Sequence, residues 1–150
     1  MKKVLVISIL FLSSLGISAQ RQNNFEKIKA LKTAYITDKV GLTSKEAEVF
    51  WPVYNKFERE LYQLKVKSRR KLMQEIKSKG GVNQLTETEA DILLQRYKKL
   101  NENIFLKEQE KIRALEKVLD AKKLLKLYRA EETFKKELLN KLKQRRIQGN

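Results

Sequence analysis

The side chains in this sequence that could do chemistry are nearly all charged. Lys and Arg number 34 against 18 Asp and Glu, a formal net charge of +16, and there is neither His nor Cys. Without imidazole or thiol, the commonest catalytic base, the thiol nucleophile and the preferred zinc and copper ligands are all missing. Ser and Thr fall mostly at helix starts or on polar faces, and no Gly-rich phosphate loop occurs. The carboxylates stand among basic neighbours, as in Arg129-Ala130-Glu131-Glu132. Acids spaced like that pair with lysines along a helix surface rather than work as an acid–base couple. The chain is therefore read as no enzyme, with no cofactor and no specific zinc or copper site. What its charges can do is attract. Lys65, Lys67, Arg69, Arg70, Lys71, Lys77 and Lys79 occupy a stretch whose only acid is Glu75. A second basic group runs through Lys135, Lys136, Lys141, Lys143, Arg145 and Arg146. Such a surface either is a solvated helix face or steers acidic partners toward itself.

These residues must be positioned by helices. Leu42-Thr43-Ser44-Lys45-Glu46-Ala47 is echoed 43 positions later by Leu85-Thr86-Glu87-Thr88-Glu89-Ala90. Thr with Glu three residues on is a capping box, and the apolar residue in front can staple the start of the helix. Two copies with matched flanks make an internal repeat. The helix-capping residues are thus Leu42, Thr43, Glu46, Leu85, Thr86 and Glu89. A fainter third copy starts at Leu119-Asp120, with Lys123 where Glu stood.

Apolar residues at helical spacing predict four helices. The first runs from about Asn24 to Thr37 and ends at Gly41. The second starts at Thr43, carries Phe50, Val53, Tyr54, Phe57, Leu61, Leu64, Leu72 and Ile76 with Ser68 in the gap, and stops at Gly80-Gly81. Pro52 predicts a bend in it. The third starts at Thr86 and carries Leu93, Tyr97, Leu100, Ile104, Ile112 and Leu115. The last carries Leu124, Leu127, Tyr128, Phe134, Leu138 and Leu142. The expectation is an all-α, elongated bundle of about four helices, two of them long. Laid side by side they make a thin layer, which leaves an apolar face for a second subunit or for other chains. Trp51 stands off the main stripe. It reads as core at a helix crossing or as an exposed apolar contact.

The N-terminus sets the expected compartment. Lys2-Lys3, an apolar run from Val4 to Ile17 and then Ser18-Ala19-Gln20 have the pattern of a secretory signal peptide cleaved after Ala19. Residues 1–19 are read as that signal and residues 20–150 as a single all-helical domain. The protein is then exported to the periplasm, where no nucleic acid is a partner. With no Cys, its stability must come from packing or oligomerisation rather than disulfides.

The signal, the helix-opening Leu42-Thr43 and Leu85-Thr86, and the basic helical chain resemble the Spy/CpxP-like periplasmic proteins, the LTxxQ-motif family. The segment from Val118-Leu119-Asp120 through Leu127-Tyr128-Arg129-Ala130-Glu131-Glu132-Thr133-Phe134 is similar to Bacteroidetes members labelled sensors of ECF-type sigma factors. The family's Gln is Glu at Glu46 and Glu89, which keeps the capping role. Its metal-sensing relatives use ligands that are missing here. The resemblance implies a cradle-shaped antiparallel homodimer whose concave face holds unfolded proteins without ATP, or touches an envelope-stress sensor. The expected function is an ATP-independent periplasmic chaperone for unfolded exported proteins, with Lys67, Arg69, Arg70, Lys71 and Trp51 as client contacts. The alternative is a regulatory adaptor that binds a membrane-bound stress sensor or anti-sigma factor.

Overall fold

The computed structural model describes residues 15–148, with side chains from Glu26 onward except those of Arg145, Arg146 and Gln148. Most of the signal-like segment lies outside the described residues. The protein is all-α, with no strand among the described residues. Helix α1 spans Leu15–Val40 and α2 spans Ser44–Tyr62. A π-helical turn, Gln63–Ser68, leads straight into α3, Arg69–Ser78. A 3-10 turn, Val82–Gln84, precedes α4, Glu87–Leu115, and α5 spans Ala121–Gln148. The chain packs as two compact units, one from Leu42 to Leu124 and one made of the segments up to Gly41 and from Leu125. α1 starts earlier than the expected Asn24, because no breaker follows Gly16 until Gly41, whose φ of 71° ends the helix.

Both repeated Thr residues open helices in the same way. The Thr43 hydroxyl accepts the Glu46 N–H at 3.3 Å, while Glu46 Oε2 accepts the Thr43 N–H at 2.8 Å. The Thr86 hydroxyl accepts the Glu89 N–H at 3.3 Å, and Glu89 Oε2 accepts the Thr86 N–H at 3.0 Å. Each box therefore satisfies two backbone donors that a helix start leaves open. Each acid also does a second job. Lys123 Nζ donates to both Glu46 carboxylate oxygens at 2.6 Å, and Lys79 Nζ donates to Glu89 at 2.7 Å. In the third copy, Asp120 accepts the Lys123 N–H at 2.8 Å, so Asp caps its own helix while the lysine in the Glu position reaches the first box. A Gln could cap but could not form these ion pairs. Lys123 and then Thr43 hold the Glu46 carboxyl at about 2, well below its ordinary 4.5, and Lys79 and then Thr86 do the same for Glu89.

The Leu42–Leu124 unit is built on an antiparallel helical hairpin. One arm is α2, the π turn and α3, and the other is α4. Gly80 and Gly81, with φ of 89° and 91°, turn the chain between them. The Gly81 N–H closes the end of α3 by donating to the Ile76 carbonyl at 3.0 Å. The arms are held in register by a ladder of polar pairs. Glu58 meets Lys111, Glu60 meets Lys107, Lys65 meets Glu108, Arg69 meets Asn101, Glu75 meets Arg96 and Lys79 meets Glu89. From Glu58–Lys111 to Lys79–Glu89 the numbers climb on one arm and fall on the other, apart from the neighbouring Glu60–Lys107 and Lys65–Glu108, which is the signature of antiparallel helices. Leu61, Leu100 and Ile104 form the buried cluster between them, with Leu64 packed against it. In the other unit Ile36, Val40, Leu127 and Ala130 are buried, and the Tyr35 and Phe134 rings lie 5.5 Å apart.

Several expected core positions differ. Ser68 does not fill the stripe but is exposed, because it closes the π turn, where the helix widens and its phase changes. Lys111, not Ile112, carries the α4 core line between Ile104 and Leu115. Its side chain lies 4.5 Å over the Tyr54 ring and bonds Glu58 at 2.9 Å. Tyr97, Tyr128 and Leu142 are exposed rather than core. A helix packed on a single neighbour buries only a narrow stripe, so residues on its flanks stay in water.

Two measurements check this frame. Thr43→Ala or Thr86→Ala should each lower stability by about 1 kcal/mol in urea unfolding. Below the ordinary carboxyl value of 4.5 the unfolded chain binds protons that folded Glu46 and Glu89 resist. Stability from these two groups is therefore full above that value and lost as pH falls toward about 2. The double variant Glu46→Gln/Glu89→Gln should be less stable at neutral pH, and its melting temperature should fall less on acidification than that of wild type.

Candidate functional site

One face of the hairpin keeps apolar side chains in water. On α4 the residues Leu94, Tyr97, Asn101, Phe105 and Glu108 recur at three- and four-residue spacing, which aligns them on one side of the helix. On the other arm Tyr62 and Lys65, then Arg69 and Met73, follow the same spacing. The two lines are tied together by Lys65 to Glu108 and by Arg69 Nη2, which donates to Asn101 Oδ1 at 3.0 Å. Around these ties Phe105 is 58% exposed and Tyr62 47% exposed, and Leu94, Met73 and Tyr97 are exposed as well. By the antiparallel register Tyr62 lies level with Phe105 and Glu108, and Met73 with Tyr97. The result is two apolar patches separated by Lys65 and Arg69. The opposite side of the hairpin carries the pairs Glu60–Lys107, Glu75–Arg96 and Lys79–Glu89, whose charges are neutralised in place.

The basic residues expected to touch clients are not brought together. Arg69 reaches across to α4, and because its acceptor is a neutral amide its charge stays uncompensated. Lys67, Arg70 and Lys71 are exposed and form no bond to α4 among the described residues. Helical rotation of 100° per residue turns Arg70 and Lys71 away from Arg69. Trp51 is half-buried. Its ring stands edge-on to Phe50 at 4.9 Å and to Tyr54 at 5.4 Å, so it closes an aromatic cluster at the start of α2. The capping residues Thr43, Glu46, Thr86 and Glu89 sit at the two helix starts and are occupied with backbone and lysine partners.

The sequence reading missed Tyr62, Met73, Leu94 and Phe105. Their signal was present as apolar residues one helical step off each core stripe. Only the pairing of the two arms shows which of those flank positions share a face. Comparison with family models, with curated proteins and with solved structures finds no match.

Core and face should separate cleanly under mutation. Leu100→Ala or Ile104→Ala removes buried contacts and should cost about 2–5 kcal/mol in urea unfolding. Phe105→Gln and Tyr62→Gln act at exposed positions and should stay within about 0.5 kcal/mol of wild type.

Proposed function

We propose that this protein is an ATP-independent holdase for exported proteins, acting in the periplasm. The observation that carries the reading is the hairpin face on which Tyr62, Met73, Leu94, Tyr97 and Phe105 stay exposed beside Lys65 and Arg69. Apolar side chains grouped on a surface favour contact with other apolar chains. The patches are small and split by charge, so they hold an extended client weakly at several points rather than one folded partner tightly. The excess of positive charge, +16 over the whole chain and +14 without Lys2 and Lys3 of the signal-like segment, speeds encounter with acidic clients, and the apolar patches retain them. The signal-like N-terminus and the resemblance to the LTxxQ-motif proteins support the same assignment.

The test is aggregation of several unrelated unfolded proteins, followed by light scattering with and without the purified chain and with no nucleotide present. Suppression should extend across clients and fall several-fold in Tyr62→Gln/Phe105→Gln, whose fold is unchanged. The triple variant Arg69→Gln/Arg70→Gln/Lys71→Gln should slow capture of acidic clients, and added salt should slow wild type as well, since exposed charges are screened over about 8–10 Å. No protection of any client, combined with tight binding to one membrane sensor, would replace this reading with the regulatory adaptor.

A further inference from the structure

Helix α5 carries its charge differently from the hairpin. In the hairpin Lys65, Lys79, Arg96, Lys99, Lys107 and Lys111 each meet a carboxylate. Along α5, Lys122, Lys126, Arg129, Lys135, Lys136 and Lys143 are exposed, and none makes an ion pair among the described residues. The same helix also has a second apolar side. Leu127 and Ala130 are buried, while Leu125 is 70% and Leu139 57% exposed, with Leu142 and Tyr128 exposed near them. Two residues on an α-helix lie about 200° apart, so Leu125 points almost opposite to Leu127. Glu132 and Glu137 are the exposed acids of this helix among the described residues, against the cations named above.

We propose that the outward side of α5 lies on an anionic phospholipid surface. The uncompensated cations call for a negative partner, and the exposed leucines call for one with an apolar layer. A second copy of this chain would set the same lysines against each other. A nucleic acid would leave the leucines in water. At a lipid surface Leu125, Leu139 and Leu142 sink below the headgroups, Tyr128 sits at their level, and the lysines reach back along their stems to the phosphates. Leu125 to Leu142 spans about 25 Å along the helix axis, at about 1.5 Å per residue. The helix lies on the membrane and does not enter it, because no helix among the described residues is long and apolar enough to cross one.

Sedimentation of the full chain with phosphatidylcholine vesicles, with and without phosphatidylglycerol, tests this. Wild type should bind the anionic vesicles at least about tenfold more tightly than the neutral ones, and salt should release it. Lys135→Gln/Lys136→Gln/Lys143→Gln and Leu125→Gln/Leu139→Gln should each weaken that binding by about tenfold at an unchanged melting temperature. Every variant keeps the same apolar N-terminal run, so the differences report on α5 alone. Hydrogen exchange of wild type gives a reading that needs no variant: vesicles should protect α5 amides and leave the hairpin unchanged. Equal binding by wild type and both variants, or indifference to lipid charge, overturns the proposal. So does loss of polyglutamate binding in the variants with vesicle binding intact, which would assign the surface to an acidic polypeptide.

Discussion

Two long helices that share only a narrow apolar seam can slide along one another at little hydrophobic cost. Leu61, Leu64, Leu100 and Ile104 bring the arms of this hairpin together, but an aliphatic line sets register loosely. The ladder of polar pairs from Glu58–Lys111 to Lys79–Glu89 supplies what the seam lacks. Each rung is a surface pair of small individual value, since exposed ion pairs contribute little in water. Their effect comes from spacing. A shift of α4 by four residues would set Lys65 opposite Ile112, Arg69 opposite Phe105, Glu75 opposite Leu100 and Lys79 opposite Leu93, so most rungs would be lost. Lys111 is the exception in kind, because it is buried between the Tyr54 ring and Glu58 and would leave an unpaired charge if the register slipped.

The capping acids join local and tertiary structure at the same atoms. Glu46 fixes the start of α2 and, through Lys123, fastens it to the start of α5. Glu89 fixes the start of α4 and, through Lys79, fastens it to the end of the opposite arm. One carboxylate thus reports both whether a helix has begun and whether its neighbour is in place. That coupling gives a reason for Glu at positions where Gln would cap equally well.

Once the ladder is formed, the distribution of charge divides the molecule. Acids are spent holding the hairpin, so the surplus of cations remains on Lys67, Arg70 and Lys71 and along α5. Exposed apolar residues accompany the surplus in both places, as Tyr62 and Phe105 on the hairpin and as Leu125 and Leu139 on α5. A basic surface with apolar islands is well suited to anionic or acidic partners that also carry apolar groups. The two surfaces differ in shape. The hairpin face draws on two arms and is broken by charge, as suits an irregular chain, whereas the α5 side is carried by one helix.

Local signals were enough to read the helices from the sequence. Thr43 and Thr86 with their Glu partners mark helix starts through contacts that span only three residues, and Gly41, Gly80 and Gly81 mark stops through a backbone freedom no other residue shares. The absence of His and Cys bounded the chemistry in the same direct way. Packing between helices was not legible. The sequence used Ser68 to fill a gap in the apolar stripe, where the π turn leaves it exposed, and passed over Lys111, whose burial depends on Tyr54 and Glu58 from another helix. It grouped Arg69 with Arg70 and Lys71 by adjacency in the chain, while Arg69 alone crosses to Asn101. What the sequence by itself determined was the set of helices and the sign of the surface, because capping, turn geometry and net charge are properties of neighbouring residues or of composition. Which charges are neutralised and which apolar side chains are left in water was decided only by the tertiary structure, because each depends on a partner brought from tens of residues away.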